Sequence, residues 1–146
     1  MSKINYLYFF SFTGLIFLTL FVLWAVSTNE TPINPKILSA SVVDFSSHIQ
    51  GETGRTLIDI RTPEEYESGH LDGATNLDFY HPLFTEWLGD LDRHKPLAIY
   101  CRSGNRTGKT LAVMEKMGFT DVIELSGGVV AWQEYYEQSD CSNGAC

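Results

Sequence analysis

Cys101, Arg102, Ser103, Gly104, Asn105, Arg106 and Thr107 run consecutively as CRSGNRT. A thiol followed by two arginines, a glycine and hydroxyls suits a nucleophilic sulfur held against an anion. The thiolate is the reactive form, and its pKa falls from about 8.5 to roughly 3.5–7.5 beside a helix N-terminus and cationic side chains. Gly104 lets the backbone turn left-handed or approach a ligand closely. A second chemistry overlaps the first. From Ser103, SGNRTGKT departs from the phosphate-binding G-x-x-x-x-G-K-[ST] loop at one residue, with Ser103 where the first glycine belongs. A phosphate loop is disfavoured on three further counts. The motif comes after the third expected strand, Lys109 falls inside an expected helix, and Asp59 is the one good acidic candidate for magnesium. The plain alternative is a buried cysteine acting as a small hydrophobe, and the arginine-rich surroundings argue against it. His48, His70, His81 and His94 form no constellation around the thiol. Cys101 therefore relies on a cradle of N–H groups rather than on a Cys–His pair.

Hydrophobic patterning supplies the strands and helices around this loop. PLAIY, Pro96 to Tyr100, reads as a buried strand running straight into Cys101. Arg106 to Met117 reads as a helix with Leu111, Met114 and Met117 inward, stopped by Gly118. The loop N–H groups between strand and helix have no helical partners, and so point at an anion. Upstream, Ser41 caps a helix to Ile49, and TLIDI between Arg55 and Arg61 is a buried strand. Thr62-Pro63-Glu64-Glu65 starts a short helix, with Thr62 as N-cap and Pro63 in its first turn. GATNLD, Gly73 to Asp78, is a second strand, and His81 to Leu91 a helix. Downstream, Asp121 to Leu125 is a fourth strand, and Val129 to about Gln138 a last helix. Strands alternating with helices predict an α/β domain with a mostly parallel sheet. Ligands of such sheets bind at the carboxyl ends of the strands, where Cys101 falls. Asp59 and Arg61 sit at the same edge, and are expected to support it as a salt bridge more than to do chemistry. His70 is expected to be structural and Trp132 to pack in the core.

The chain has 146 residues and a formal charge of −8. One domain of ordinary size fits. The acidic balance argues against nucleic acid as a partner, since that needs a basic surface. From Ile4 to Asn29 there is no charged residue, and Tyr6 to Val26 is an apolar run of 21 residues. A bilayer-spanning helix needs about 20. Residues 1–29 are therefore expected to be a membrane anchor, with a cleaved signal peptide as the alternative, since Ala25-Val26-Ser27 offers small residues for cleavage. Lys3 is the only charge before the run, and it favours export of the residues beyond the run. Residues 30–39, with Pro32 and Pro35, read as a linker, 40–138 as the domain, and 139–146 as a loose tail. Cys141 and Cys146 lie in that tail. An oxidising compartment would pair them as a disulfide; a sulfur relay with Cys101 is the functional alternative. Their spacing lacks the partners of a zinc site, and no metal or organic cofactor is expected.

Three blocks in order resemble the single-domain rhodanese-like sulfurtransferases over about residues 40–138. They are LIDIRTPEEYESGHLDGATNLD (Leu57 to Asp78), CRSGNRT (Cys101 to Thr107) and LSGGVVAW (Leu125 to Trp132). The resemblance implies a three-layer domain around a central, mostly parallel sheet. It also implies sulfur transfer from a small anionic donor such as thiosulfate, through a Cys101 persulfide, to cyanide or a thiol. Residues 102–107 would bind the anion. Arg106 resembles the family's structural arginine, paired with an acid beneath the loop, and Arg102 is freer to meet the donor. Glu65 resembles a position that supports the fold. Cysteine phosphatases of related fold resemble C-x5-R, whereas four residues separate Cys101 from Arg106 here. The shorter loop fits a sulfane sulfur better than a tetrahedral phosphate. The rival function on the same fold is a persulfide carrier delivering sulfur to a protein partner.

Overall fold

The strand that ends before Cys101 is the middle one of a five-stranded sheet. The computed structural model describes residues 36–50 and 54–142, all within the unit Asn34–Cys146. In chain order the elements are β1 (Lys36–Ala40), α1 (Val42–Gln50), β2 (Thr56–Asp59), α2 (Pro63–Glu67), β3 (Thr75–Asn76), α3 (Phe84–Asp90), β4 (Leu97–Tyr100), α4 (Asn105–Lys116), β5 (Asp121–Leu125) and α5 (Gly128–Ser142). The strand order is β1-β5-β4-β2-β3, and every pairing is parallel. Parallel neighbours need crossovers, which the helices supply. The α/β sandwich expected from the alternating pattern is the observed one.

Two cores form, one on each face of the sheet. Phe45 of α1 and Val129 of α5 pack with Ala98, Tyr100, Ile123 and Leu125 on one face, with Trp132 against them. Phe84 and Leu88 of α3 and Met114 of α4 pack with Ile58, Ile99 and Val122 on the other. Side chains alternate across a strand, so β4 and β5 feed both cores. All four residues of β4 are buried. A strand buried on both faces reads as a continuous apolar run rather than an alternating one, which is why PLAIY is recognisable as a strand.

Local signals explain the helix starts near the site. Ser41 Oγ accepts from Asp44 N at 3.2 Å and opens α1. Thr62 caps α2 through a reciprocal box. Its hydroxyl accepts from Glu65 N at 3.3 Å, while Glu65 Oε2 accepts from Thr62 N at 3.1 Å.

The strand expected over Gly73 to Asp78 pairs only at Thr75–Asn76, the helix expected from His81 begins at Phe84, and two domain boundaries differ from expectation. Residues 36–39, assigned to the linker, belong to β1, which pairs with β5 from Lys36↔Asp121 to Ala40↔Leu125. This edge strand buries only Ala40, so it has neither alternation nor a continuous apolar run to announce it. At the other end, α5 continues past Gln138 to Ser142, so the tail is helical over 139–142 rather than loose. No glycine or proline intervenes before Asn143-Gly144 to stop it. The apolar run Tyr6–Val26 and the linker residues 30–35 lie outside the described residues. Among the described residues no helix is long and apolar enough to cross a membrane.

Candidate active site around Cys101

β4 delivers Cys101 to the carboxyl edge of the sheet, and α4 begins four residues later at Asn105. Between them the chain must turn sharply. Gly104 makes the turn with φ +88°, a left-handed conformation that L side chains rarely adopt. An added Cβ there would also sit 3.4 Å from Gly127 N. The turn aims the loop amides at sulfur: Gly104 N donates to Cys101 Sγ at 3.2 Å.

The matching carbonyls are drawn the other way. Val129 N donates to Cys101 O at 2.9 Å, and Val130 N donates to Arg102 O at 3.1 Å. The first turn of α5 thereby takes up the loop's acceptors, and the loop's donors remain for the thiol. Gly128 of the LSGGVVAW block makes this approach possible. At Gly128 a Cβ would fall 2.4 Å from Cys101 O and 2.5 Å from Arg102 O, far inside van der Waals contact.

Cys101 is 1% exposed. Burial pushes its thiol pKa up, but the N–H groups of Thr107, Ser103, Arg106 and Gly104 outweigh burial and hold it below the ordinary value. Anionic sulfur is therefore stabilised by oriented backbone, as a ring of donors stabilises an oxyanion.

The two arginines of the loop divide as their surroundings dictate. Arg106 is fastened by a two-pronged pair to Glu65, Nη1 to Oε2 at 2.7 Å and Nη2 to Oε1 at 2.9 Å. The Arg106 bond holds Glu65 far below the usual carboxylate range, at about 2, against the opposing effect of its partial burial. The guanidinium also lies 5.5 Å from the ring centroid of Tyr80, within cation–π range. Arg106 thus offers the thiol its N–H, while its charge is spent on Glu65 and ties the loop to α2. Arg102 is exposed, and among the described residues its guanidinium has no partner. Ser103 and Asn105 are exposed beside it at the rim.

Asp59 and Arg61 form a buried pair, with Arg61 Nη2 donating to Asp59 Oδ2 at 2.7 Å and to Gly69 O at 2.7 Å. Asn76 Nδ2 donates to the carbonyls of both, at 3.0 and 2.9 Å. The pair fastens the ends of β2 and β3 to the α2–β3 connection. His70 stacks on Tyr66 at 3.7 Å between centroids. Glu124, in contrast, is a site residue that the sequence reading misses. It is buried at the C-terminal part of β5 and contacts the Thr107 hydroxyl through Oε2. The available signal is one acid inside the apolar run DVIEL, on the same strand face as Val122. The side chain of Cys141, and Cys146 altogether, lie outside the described residues. No group of metal-ligating side chains occurs among the described ones.

Known proteins agree with this geometry. The profile of the rhodanese-like domain matches residues 41–135. The thiosulfate sulfurtransferase GlpE of Pseudomonas syringae is 32% identical over 87 residues, which are 60% of this chain and 80% of that protein. The probable adenylyltransferase/sulfurtransferase MoeZ of Mycobacterium tuberculosis is 37% identical over 83 residues, 56% of this chain. The match spans only 21% of MoeZ. A rhodanese-related protein from Thermoplasma volcanium superposes with a TM-score of 0.57 at 26% identity, covering 66% of this chain and 91% of that one. The chain belongs to the rhodanese-like domain family.

Proposed function

We propose that the protein is a sulfurtransferase in which Cys101 is the nucleophile and a Cys101 persulfide the intermediate. The observation that carries this is the ring of N–H donors from residues 103, 104, 106 and 107 closing on a single buried sulfur. The Cys101 thiolate attacks the outer sulfur of a donor such as thiosulfate. A Cys–S–S⁻ bond forms, the donor's S–S bond breaks, and sulfite leaves with that electron pair. An acceptor, cyanide or a thiolate, then attacks the outer persulfide sulfur and returns Cys101 to thiolate. Both half-reactions are displacements at sulfur, with covalent catalysis splitting one hard step into two easier ones. The loop N–H groups meet negative charge in each state. Exposed Arg102, with Ser103 and Asn105 at the rim, is placed to meet the anionic donor.

The acceptor side supports a protein partner as a second reading. Tyr80 and Val130 are exposed apolar side chains. Tyr80 stacks over Arg106, and Val130 is bonded through its N–H to Arg102. An apolar rim beside the loop suits a protein carrying the acceptor thiol better than it suits a small ion.

Location is proposed from sequence. Tyr6–Val26 would anchor the chain in a membrane, or serve as a cleaved signal, with the domain exported. N-terminal sequencing of the mature protein separates these outcomes, and a domain recovered only from cytosol rejects both.

The experiment for activity is incubation with thiosulfate, then intact mass and a cyanide assay. One added sulfur atom, absent in Cys101→Ser and discharged by cyanide, is expected. Absence of the adduct with several sulfane donors rejects the proposal, and turnover of a phosphate ester would favour a phosphatase.

A further inference from the structure

Thr107 Oγ1 stands between two groups that both ionise. Cys101 Sγ is 3.9 Å away on one side, and the Glu124 carboxylate contacts it on the other. Gly104 O is a third neighbour, at 2.9 Å. A hydroxyl has one proton to donate and two lone pairs to accept with. It cannot donate to sulfur and to Glu124 at once. The state of one neighbour therefore dictates what the hydroxyl offers the other.

We propose that Glu124 takes up the thiol proton of Cys101 through Thr107, so that the two acids share one proton. In the resting arrangement the Cys101 S–H donates to Thr107 Oγ1, whose O–H donates to ionised Glu124. Transfer breaks the S–H bond and forms an O–H bond on Thr107. The former Thr107 O–H bond breaks, and one forms on Glu124. The total charge is unchanged and nothing is oxidised. Afterwards neutral Glu124 donates to Thr107, and Thr107 donates to the thiolate. Gly104 O competes for the hydroxyl proton in both states.

Burial makes the exchange matter. Glu124 is 8% and Cys101 1% exposed, and two negative charges this deep disfavour each other. A neutral Glu124 leaves the pocket with one negative charge when sulfur is anionic. The charged groups of β1, α4 and the rest of β5 are paired or exposed: Lys36, Lys109, Glu115 and Lys116 are exposed, and Asp121 is paired with Arg55. On α4, Arg106 is bound to Glu65. On the flanking strands, Glu124 is in register with Ile99 of β4 and Ser39 of β1, which carry no charge. Glu124 acts through Thr107 rather than on the donor, and is a positioning residue.

The inference rests on Cys101 being the reacting group of the proposed transfer. Its test uses no sulfur donor, so the two fail separately. The rate of Cys101 alkylation by iodoacetamide is measured against pH, with the Cys101 peptide read by mass spectrometry. Two coupled acids titrate as a pair with two macroscopic steps. The wild type is therefore expected to rise in two steps, with a plateau whose height is the share of thiolate in the singly charged pair. Glu124→Gln is expected to collapse the profile to one step. Thr107→Val is expected to lower the plateau about tenfold by removing the shared hydroxyl, and Thr107→Ser to restore it. A one-step wild-type profile overturns the proposal even if Glu124→Gln does not fold. A Thr107→Val profile identical to wild type overturns it as well.

Discussion

Gly128 and Cys101 meet backbone to backbone: a Cβ on Gly128 would lie 2.4 Å from the Cys101 carbonyl oxygen, with Gly128 itself at φ +62°. This contact fixes the loop from behind. It lets Val129 and Val130 take the carbonyls of Cys101 and Arg102, which keeps the opposing N–H groups on sulfur. Gly128→Ala is expected to push the loop off α5, since the obstructing atoms are backbone and cannot rotate aside. Left-handed strain and the clash together should cost on the order of 2 kcal/mol or more. Thermal unfolding checks the stability, and the pH profile of Cys101 alkylation should move toward that of an ordinary thiol.

The bridge between Arg106 and Glu65 predicts an acid limit. Glu65 titrates at about 2 in the folded chain, from an ordinary 4.5. A depressed carboxylate contributes stability fully above its unfolded pKa, and that stability is lost as pH falls through the folded one. The contribution should therefore fade between about pH 4.5 and 2, not near neutrality. The pair is partly solvated, so screening limits it to about 1 kcal/mol. Urea unfolding of wild type and Glu65→Gln should differ by that amount at pH 6 and converge near pH 2. A difference that persists at low pH would overturn the assignment to ionised Glu65, since glutamine also completes the capping box with Thr62.

Arg102 and Arg106 should respond differently to substitution. Arg102 is exposed and uncommitted, so Arg102→Ala is expected to raise KM for thiosulfate about two- to fivefold with kcat little changed, as an exposed charge pair of up to about 1 kcal/mol allows. The effect should shrink in high salt. Arg106→Lys is expected to lower kcat and stability together, because one ammonium cannot reproduce the two-pronged bond to Glu65. Steady-state kinetics at two ionic strengths checks both.

The site is legible where chemistry and backbone geometry coincide in neighbouring residues. Cys101, Gly104 and the start of α4 are contiguous, so strand end, turn and helix N-terminus can be read from one short stretch. Thr62 and Glu65 declare their cap in the same way. Contacts across long separations are less visible. Glu65 meets Arg106 across 41 residues, and resemblance gives Arg106 an acid partner without saying which. Glu124 meets Thr107 across 17, with nothing but one acid in an apolar strand to mark it. The edge strand β1 is hidden for another reason: pairing on one side defines it, and backbone hydrogen bonds leave no side-chain pattern.

The tail cysteines bear on sulfur relay, and helix length decides what they can reach. Gly128 abuts Cys101, and Cys141 lies 13 residues further along α5. At about 1.5 Å per residue that is about 20 Å. Beyond Ser142 four residues remain to Cys146, and fully extended they span at most about 14 Å. Doubling straight back along the helix, their backbone covers about two-thirds of its length. Exchange with Cys101 of the same chain is therefore expected to need the C-terminal turns of α5 to open. Cys141→Ser with Cys146→Ser is expected to leave the rate of Cys101 loading by a donor unchanged. Any passage of sulfur from Cys101 to the tail should run between molecules, with an initial rate rising as the square of protein concentration. Mass analysis of tail and loop peptides after loading, at two concentrations, measures this. A concentration-independent fractional rate would mean that the C-terminal turns of α5 open during turnover.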